Sequence, residues 1–442
     1  MKMKVAVLAS CVLAGCVAGA TDSATSSKSQ AVSGAIDSVH LPTTFLQNAS
    51  VIHGEGALGD HGHHGNFARG VPNVDSIENF TGSFSTPGFD SLGNPQTNWP
   101  YEMVGKDPAR NQPTFFRTPI VPITVELLDS TGAVAQYNGT PLRFTPGGDT
   151  VDATIKSPVF SPFIYNSGVG QFTDEMMRTQ FWSSFSHRGF SDLYHNILLP
   201  QVLPSKTIQV PFGSWYFFTN AAGLPEATVI DMDFFGNALF PATATDTTSV
   251  LGALENSHQI STKDITTLLF KDVYLYSGDI SNCCVLGFHS YDSEAGDASN
   301  GNKEKRFVMN YASYISPNLF SFGFQDVTAI SHELSELFAD PFVDNATPWW
   351  LSSDPVLGSG LCQNNLETGD VVEVLSQPVY PVAMNDRTYH PQTEALFPWF
   401  AMQDKSTATS KNGTYSFPDE TVLPNLSPHP LGVGCQPPTT TP

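Results

Sequence analysis

Positive charge is what this chain has least of: 20 Lys and Arg stand against 42 Asp and Glu, a formal charge of -22. Binding a polyanion requires clusters of Lys and Arg that displace its counterions, and none occurs here, so nucleic acid is a poor partner. Charge of either sign is sparse, 14% of residues against a typical ~25%, while Phe, Gly and Pro are plentiful. That balance reads as an exported globular protein rich in strands and loops. There is no Gly-x-Ser-x-Gly elbow, no phosphate-binding glycine loop and no dinucleotide fingerprint, which argues against a serine hydrolase, a nucleotidase and an NAD enzyme. Long apolar runs are missing as well. Beyond the first residues no stretch reaches the roughly 18 apolar residues of a membrane helix, so the body of the chain is expected in water.

The one apolar run near the start, residues 5–14, follows Lys2 and Lys4 and is too short to span a bilayer, which suits a signal peptide over residues 1–15. Leu13-Ala14-Gly15-Cys16 has the form of a bacterial lipobox. An extracytoplasmic protein is expected, touching the membrane only through a lipid anchor at Cys16. Ala18-Gly19-Ala20 offers ordinary cleavage and secretion instead. Cysteine is scarce: beyond this leader there are only Cys283, Cys284, Cys362 and Cys435. In an oxidising compartment these make two disulfides, and because adjacent cysteines rarely bridge each other, Cys283 and Cys284 are expected to reach separately to Cys362 and Cys435. A structural cysteine-zinc site is the rival, with no Cys-x-x-Cys pair to support it.

Residues 16–70 read as a flexible tether, with His53, His61, His63 and His64 near its end. Such a tract chelates transition metals or is a solvated Gly-rich loop. Residues 71–265 form a β-rich region with a strand at 120–128 and a short helix at 172–182. In residues 266–442 a buried strand at 266–276 and a second at 306–311 lead into a helix at 326–341, and another helix is expected at 392–403, kinked by Pro398.

The helix at 326–341 carries the chemistry. Asp326 suits its N-cap and Pro341 stops it. Val327, Ile330, Leu334, Leu337 and Phe338 share one apolar arc, while His332, Glu336 and Asp340 recur at a spacing of four, so an imidazole and a carboxylate can grip one ion. Glu333 lies at the edge of that face, placed to act on water beside the ion. This is the His-Glu-x-x-His zinc helix with Glu336 in place of the second histidine. The bland alternative is an amphipathic helix with a polar, solvated face.

Cys284 to His289 reads Cys-x-x-Gly-Phe-His; His332 to Pro341 follows as His-Glu-Leu-x-Glu-x-x-x-Asp-Pro, then Trp349 and Trp350, Cys362, and Glu367-Thr368-Gly369-Asp370. This order, over roughly residues 266–375, resembles bacterial relatives of the plant EXORDIUM, or phosphate-induced, protein family. Two departures stand out: plant members lack the intact His-Glu-x-x-Glu, and Cys362 precedes the Glu-x-Gly-Asp that it usually follows. The resemblance and the helix imply an α+β protein with a zincin-like helix against a mixed sheet. The zinc helix also implies one zinc ion and peptide or protein as substrate.

A catalytic zinc needs a third ligand, and Glu367 from a separate downstream segment is the first choice, with Asp370 hydrogen-bonding a ligand. Asp340, one turn further along the helix, is the other candidate. Glu333 is the expected general base, with His390 or Tyr389 donating to the oxyanion. His289 is a further possible ligand or a packed strand-end residue. The competing function, which the resemblance implies, is a non-enzymatic cell-surface protein of EXORDIUM type binding glycans or partner proteins, with Trp349, Trp350, Trp399 and Phe400 as a sugar platform or as core.

Overall fold

The strand expected at 120–128 is part of a longer one, Thr114–Leu127, in which Ile120, Val121, Ile123, Val125 and Leu127 are all buried. Apolar side chains on both faces suit a strand with parallel neighbours and cover above and below. Asn196–Val202 and then Lys206–Val210 run parallel on one side, and Thr266–Lys271 on the other. Glu304–Tyr314 continues the sheet in parallel, and Gly287–Glu294 closes it as an antiparallel edge strand. This computed structural model describes residues 36–42, 44–49, 74–186, 192–321, 323–353, 360–403 and 410–426. The expected signal peptide, Cys16, the His-rich tract and Cys435 lie outside them.

The two faces of this sheet belong to different cores. Leu269, Val308 and Ala312 pack with Ile330, Leu334 and Leu337 of the helix Thr328–Ala339, whereas Leu268, Phe270, Met309 and Tyr311 pack with Phe235, Leu251 and Leu254. Each buried Leu or Ile of that helix contributes roughly 1.5–3 kcal/mol. A second sheet joins His40–Pro42, Trp215–Thr219, Pro225–Asp231, Val273–Tyr276 and Cys283–Val285. Content is mixed α and β with strand predominating, compatible with the α+β expectation. The boundary expected at residue 265 does not divide the main sheet, which draws neighbouring strands from both sides of it.

Three local expectations are corrected. The strand expected at 266–276 is two strands in two sheets, because Asp272 turns the chain at a φ of 55°. Its carboxylate accepts from the backbone N–H of Ser316 at 2.6 Å and from its hydroxyl at 2.7 Å, which holds the turn. The helix expected at 392–403 shrinks to Phe397–Phe400, with Pro398 in its first turn, where the missing N–H costs nothing. Glu394–Ala395 instead pairs with Ser416–Phe417. Finally, Cys283 and Cys284 bond to each other, their Cα atoms 3.0 Å apart within one buried strand. Cys362 is disulfide-bonded too.

The strand Pro95–Val104 packs near the end of the same helix, and Glu102 is tied to it through Asn345. Burial, with Asp344 nearby, pushes the Glu102 carboxyl up to about 7 against the pull of Arg306. The folded chain therefore keeps a proton that the unfolded chain has released above its ordinary value of 4.5, so stability falls as pH rises from about 4.5 to about 7. Replacing Glu102 by Gln is expected to leave urea stability near pH 4 unchanged and to raise it at pH 8 by about 3 kcal/mol at most. Parallel pH profiles for the two proteins would count against this.

Candidate metal centre

Every residue of the helix Thr328–Ala339 is buried, including its polar face. The solvated-face alternative is thereby removed, and the polar residues must find partners inside the protein. Asp326 does not cap the helix: Val327 occupies that position without a side-chain bond. Asp326 instead accepts from the His390 backbone N–H at 2.8 Å and contacts the His390 ring Nδ1 at 2.7 Å.

His332 and Glu336 face each other as the spacing of four requires, Nε2 to Oε2 at 3.0 Å. Oε1 of Glu336 accepts from the backbone N–H groups of Gly369 at 2.9 Å and Asp370 at 3.3 Å. That approach needs a glycine, since a Cβ on Gly369 would stand 2.5 Å from Nδ1 of His332. The edge strand brings His289 alongside. Its Nδ1 is 3.6 Å from Oε2 of Glu333 and 3.8 Å from Oε2 of Glu336. Gly287, two residues earlier on the same face, leaves room for Glu333, whose Cγ would be 2.6 Å from a Cβ there.

The outer nitrogens of both rings are committed. Gln392 donates its amide N–H to the Gly369 carbonyl at 2.8 Å, which turns its Oε1 toward Nδ1 of His332 at 3.1 Å. Only an N–H on Nδ1 satisfies that contact, so in the neutral ring the lone pair is on Nε2, facing Glu336. Nε2 of His289 likewise meets the Asp340 carbonyl at 3.1 Å, placing its hydrogen there and its lone pair on Nδ1. Nδ1 of His289 has no hydrogen-bond partner among the described residues. Both lone pairs thus face Oε2 of Glu336, at 3.8 Å from His289 and 3.0 Å from His332, an arrangement that suits a cation beside that carboxylate.

The electrostatics agree. Burial alone would lower the His332 pKa, but Glu336, with Glu333 and Glu373 near, holds it well above the ordinary imidazole range. Burial would raise Glu336, yet His332, His289 and the Gly369 N–H hold it down at about 2. For His289 burial wins over Glu336 and the ring stays neutral. Positive charge is therefore favoured at Nε2 of His332, as a proton or as a metal ion.

Glu367 joins this group: one oxygen of each of Glu336 and Glu367 and a ring nitrogen of His289 lie within 4.8 Å of one another. The same limit encloses His332, Glu333 and Glu336, and His332, Asp370 and Glu373. Asn365 donates to Oε1 of Glu367 at 2.8 Å, and Gln363 donates to Asp370. The donors are two imidazoles and several carboxylates, a set that suits several divalent metals, zinc among them.

Other expected site residues are elsewhere. The Asp340 carboxylate accepts from the backbone N–H groups of Asp344 at 2.9 Å and Asn345 at 3.0 Å, closing the turn that begins with the helix-stopping Pro341. It is a helix-end brace, and only its carbonyl serves the site. His390 is held by Asp326 at the helix N-terminus, and Tyr389 is packed in the core beside it. Neither is placed at the His332 and Glu336 cluster. Trp350, Trp399 and Phe400 are fully buried and packed edge to face, so they are core and not a sugar platform.

The sequence reading had no place for Gln392, Glu373 or Glu394. Gln392 lies past Pro391 in the stretch where the sequence predicts a helix, and its backbone N–H, held by Ser331 at 2.8 Å, aims it inward. Burial drives the Glu394 pKa well up, and Thr368 donates to it at 3.1 Å. No helix among the described residues is long and apolar enough to cross a membrane. Comparison with known proteins gives no family model, no curated protein and no solved structure that matches this chain.

Proposed function

We propose that this is an exported zinc-dependent hydrolase of the metallopeptidase type, acting on peptide bonds outside the cytoplasm. The observation that carries the metal is the pair of histidines whose outer nitrogens are spent on carbonyl oxygens while their inner lone pairs share Glu336. His332 and Glu336 on the zincin-like helix would hold the ion, with Glu367 of the Glu-x-Gly-Asp segment, which is grouped with Glu336 and His289, reaching it from the Glu336 side. When bound, zinc supplies Lewis acidity, polarising a carbonyl and bringing the pKa of water from about 15.7 to about 7.

Glu333 takes the proton from the attacking water and returns it to the leaving nitrogen. Nδ1 of His289, 3.6 Å from Oε2 of Glu333, is placed to share that proton. Gln392, Asn365 and the Gly369 N–H fix the orientation of His332, Glu367 and Glu336, as the outer partners of a metal site do. Peptide as the substrate rests on the likeness of His332-Glu333-x-x-Glu336 to the zinc helix of peptidases.

The burial of every donor favours a second reading, in which His289 joins as a fourth ligand and a closed zinc site only braces the fold. Metal analysis of the mature chain, paired with hydrolysis of an unfolded protein substrate, tests the first. One zinc per chain and cleavage that a chelator stops and zinc restores are expected. Zinc-loaded protein that cleaves nothing would move the assignment to the structural reading, and protein that takes up no zinc would end both.

A further inference from the structure

The edge strand Gly287–Glu294 has a second face. Side chains alternate along it, so His289 points to the helix Thr328–Ala339 while Phe288, Asp292 and Glu294 point the other way. There they meet the helix Val250–Asn256, whose Leu251 and Leu254 share a core with Phe288 and Met309. Glu255 on that helix is brought under the end of the strand. One oxygen from each of Glu255, Asp292 and Glu294 lies within 4.8 Å of the others.

Three carboxylates alone would only repel, and exposed ones would simply be solvated. Glu255 is different: it is 6% exposed, and neither of its oxygens has a hydrogen-bond partner among the described residues. Oδ2 of Asp292, also buried, has none either. Among the described residues the positive charge that reaches this group is Lys305, whose Nζ is 3.9 Å from Oε2 of Glu294 but 2.8 Å from Oδ2 of Asp297. One lysine already engaged elsewhere does not balance three acids. Leaving a buried carboxylate with both oxygens unmet is strongly unfavourable unless a cation or protons occupy the space between. Burial, with Asp292 and Glu294 beside it, pushes Glu255 up to about 8. Burial and Glu294 push Asp292 up to about 6.

We propose that Glu255, Asp292 and Glu294 form a second cation site, for a hard divalent ion of the calcium class, bridging a helix to the edge strand of the main sheet. All three donors are carboxylate oxygens without nitrogen or sulfur, which selects calcium, magnesium or manganese over zinc. Asp292 and Glu294 are partly exposed, which gives the ion a way in and leaves room for its remaining water ligands. Nothing in this site is shared with His332 or Glu336, so it stands whether or not the zinc reading does.

Thermal unfolding of the full mature chain in EGTA and in calcium chloride tests it. Calcium at a hundredfold above its dissociation constant is expected to raise Tm by about 3 °C. Glu255→Gln is expected to abolish the rise while leaving Tm in EGTA equal to or above wild type, because it removes one of three repelling charges. His332→Ala is expected to keep the rise. A wild-type chain that shifts with none of calcium, magnesium or manganese, or a Glu255→Gln chain that shifts as wild type does, overturns the proposal.

Discussion

Replacing Glu333 by Gln is expected to lower peptide hydrolysis by about 10²- to 10⁴-fold, the usual worth of a positioned general base, while zinc content and melting temperature stay at wild-type levels. The substitution keeps the size of the side chain, which matters because Glu333 is only 3% exposed and runs directly over Gly287. It removes only the ability to accept a proton at Oε2. A variant that keeps full activity would show that Glu333 is not the base. A variant that loses zinc along with activity would instead place Glu333 among the ligands, within the 4.8 Å that already groups it with His332 and Glu336. The pH dependence carries a sign as well. Protons compete for Nε2 of His332, whose pKa lies well above the ordinary range in this acidic surrounding, so zinc binding is expected to weaken as pH falls. That loss is measured by equilibrium dialysis at constant ionic strength.

The central helix was legible because its apolar residues recur at 3.6 and its polar ones at four, two periods that coexist on one rod. Glu367 was legible only through the order of motifs. Its approach depends on the strand pair Ala346–Ser353 and Gly360–Asn365, a long-range pairing that no local pattern announces. The Cys-x-x-Gly-Phe-His motif now has a physical reading: Gly287 clears space for Glu333, Phe288 enters the opposite core, and His289 faces the site. Sequence alone left His289 open between ligand and packing, since one imidazole in an apolar strand looks the same in both cases. The cysteine expectation failed because Cys283 and Cys284 bond to each other within one buried strand, a local arrangement that their place in the sequence does not announce. Asp340 failed for a related reason. Its spacing of four was right, but the helix stops at Ala339 and the side chain turns to the amides of the next loop.

His332→Ala is expected to weaken zinc binding by about 10²- to 10³-fold, taking one ligand's share of the roughly 10–16 kcal/mol that a structural zinc site contributes. Gln392→Leu should fall between this and wild type. It leaves every donor in place but removes the acceptor that fixes the proton on Nδ1 of His332, 3.1 Å away, so Nε2 is no longer held as the free nitrogen. Loss of such an outer partner typically costs about 10- to 100-fold in affinity. The ordering of the two variants is the useful quantity, measured by competition against a chromophoric chelator at one pH. If Gln392→Leu binds zinc as tightly as wild type while His332→Ala does not, the tautomer lock is irrelevant and His332 binds by proximity alone. If both bind as wild type, the ion is held by His289, Glu336 and Glu367 without the helix histidine, and the helix motif was a misleading guide to the centre.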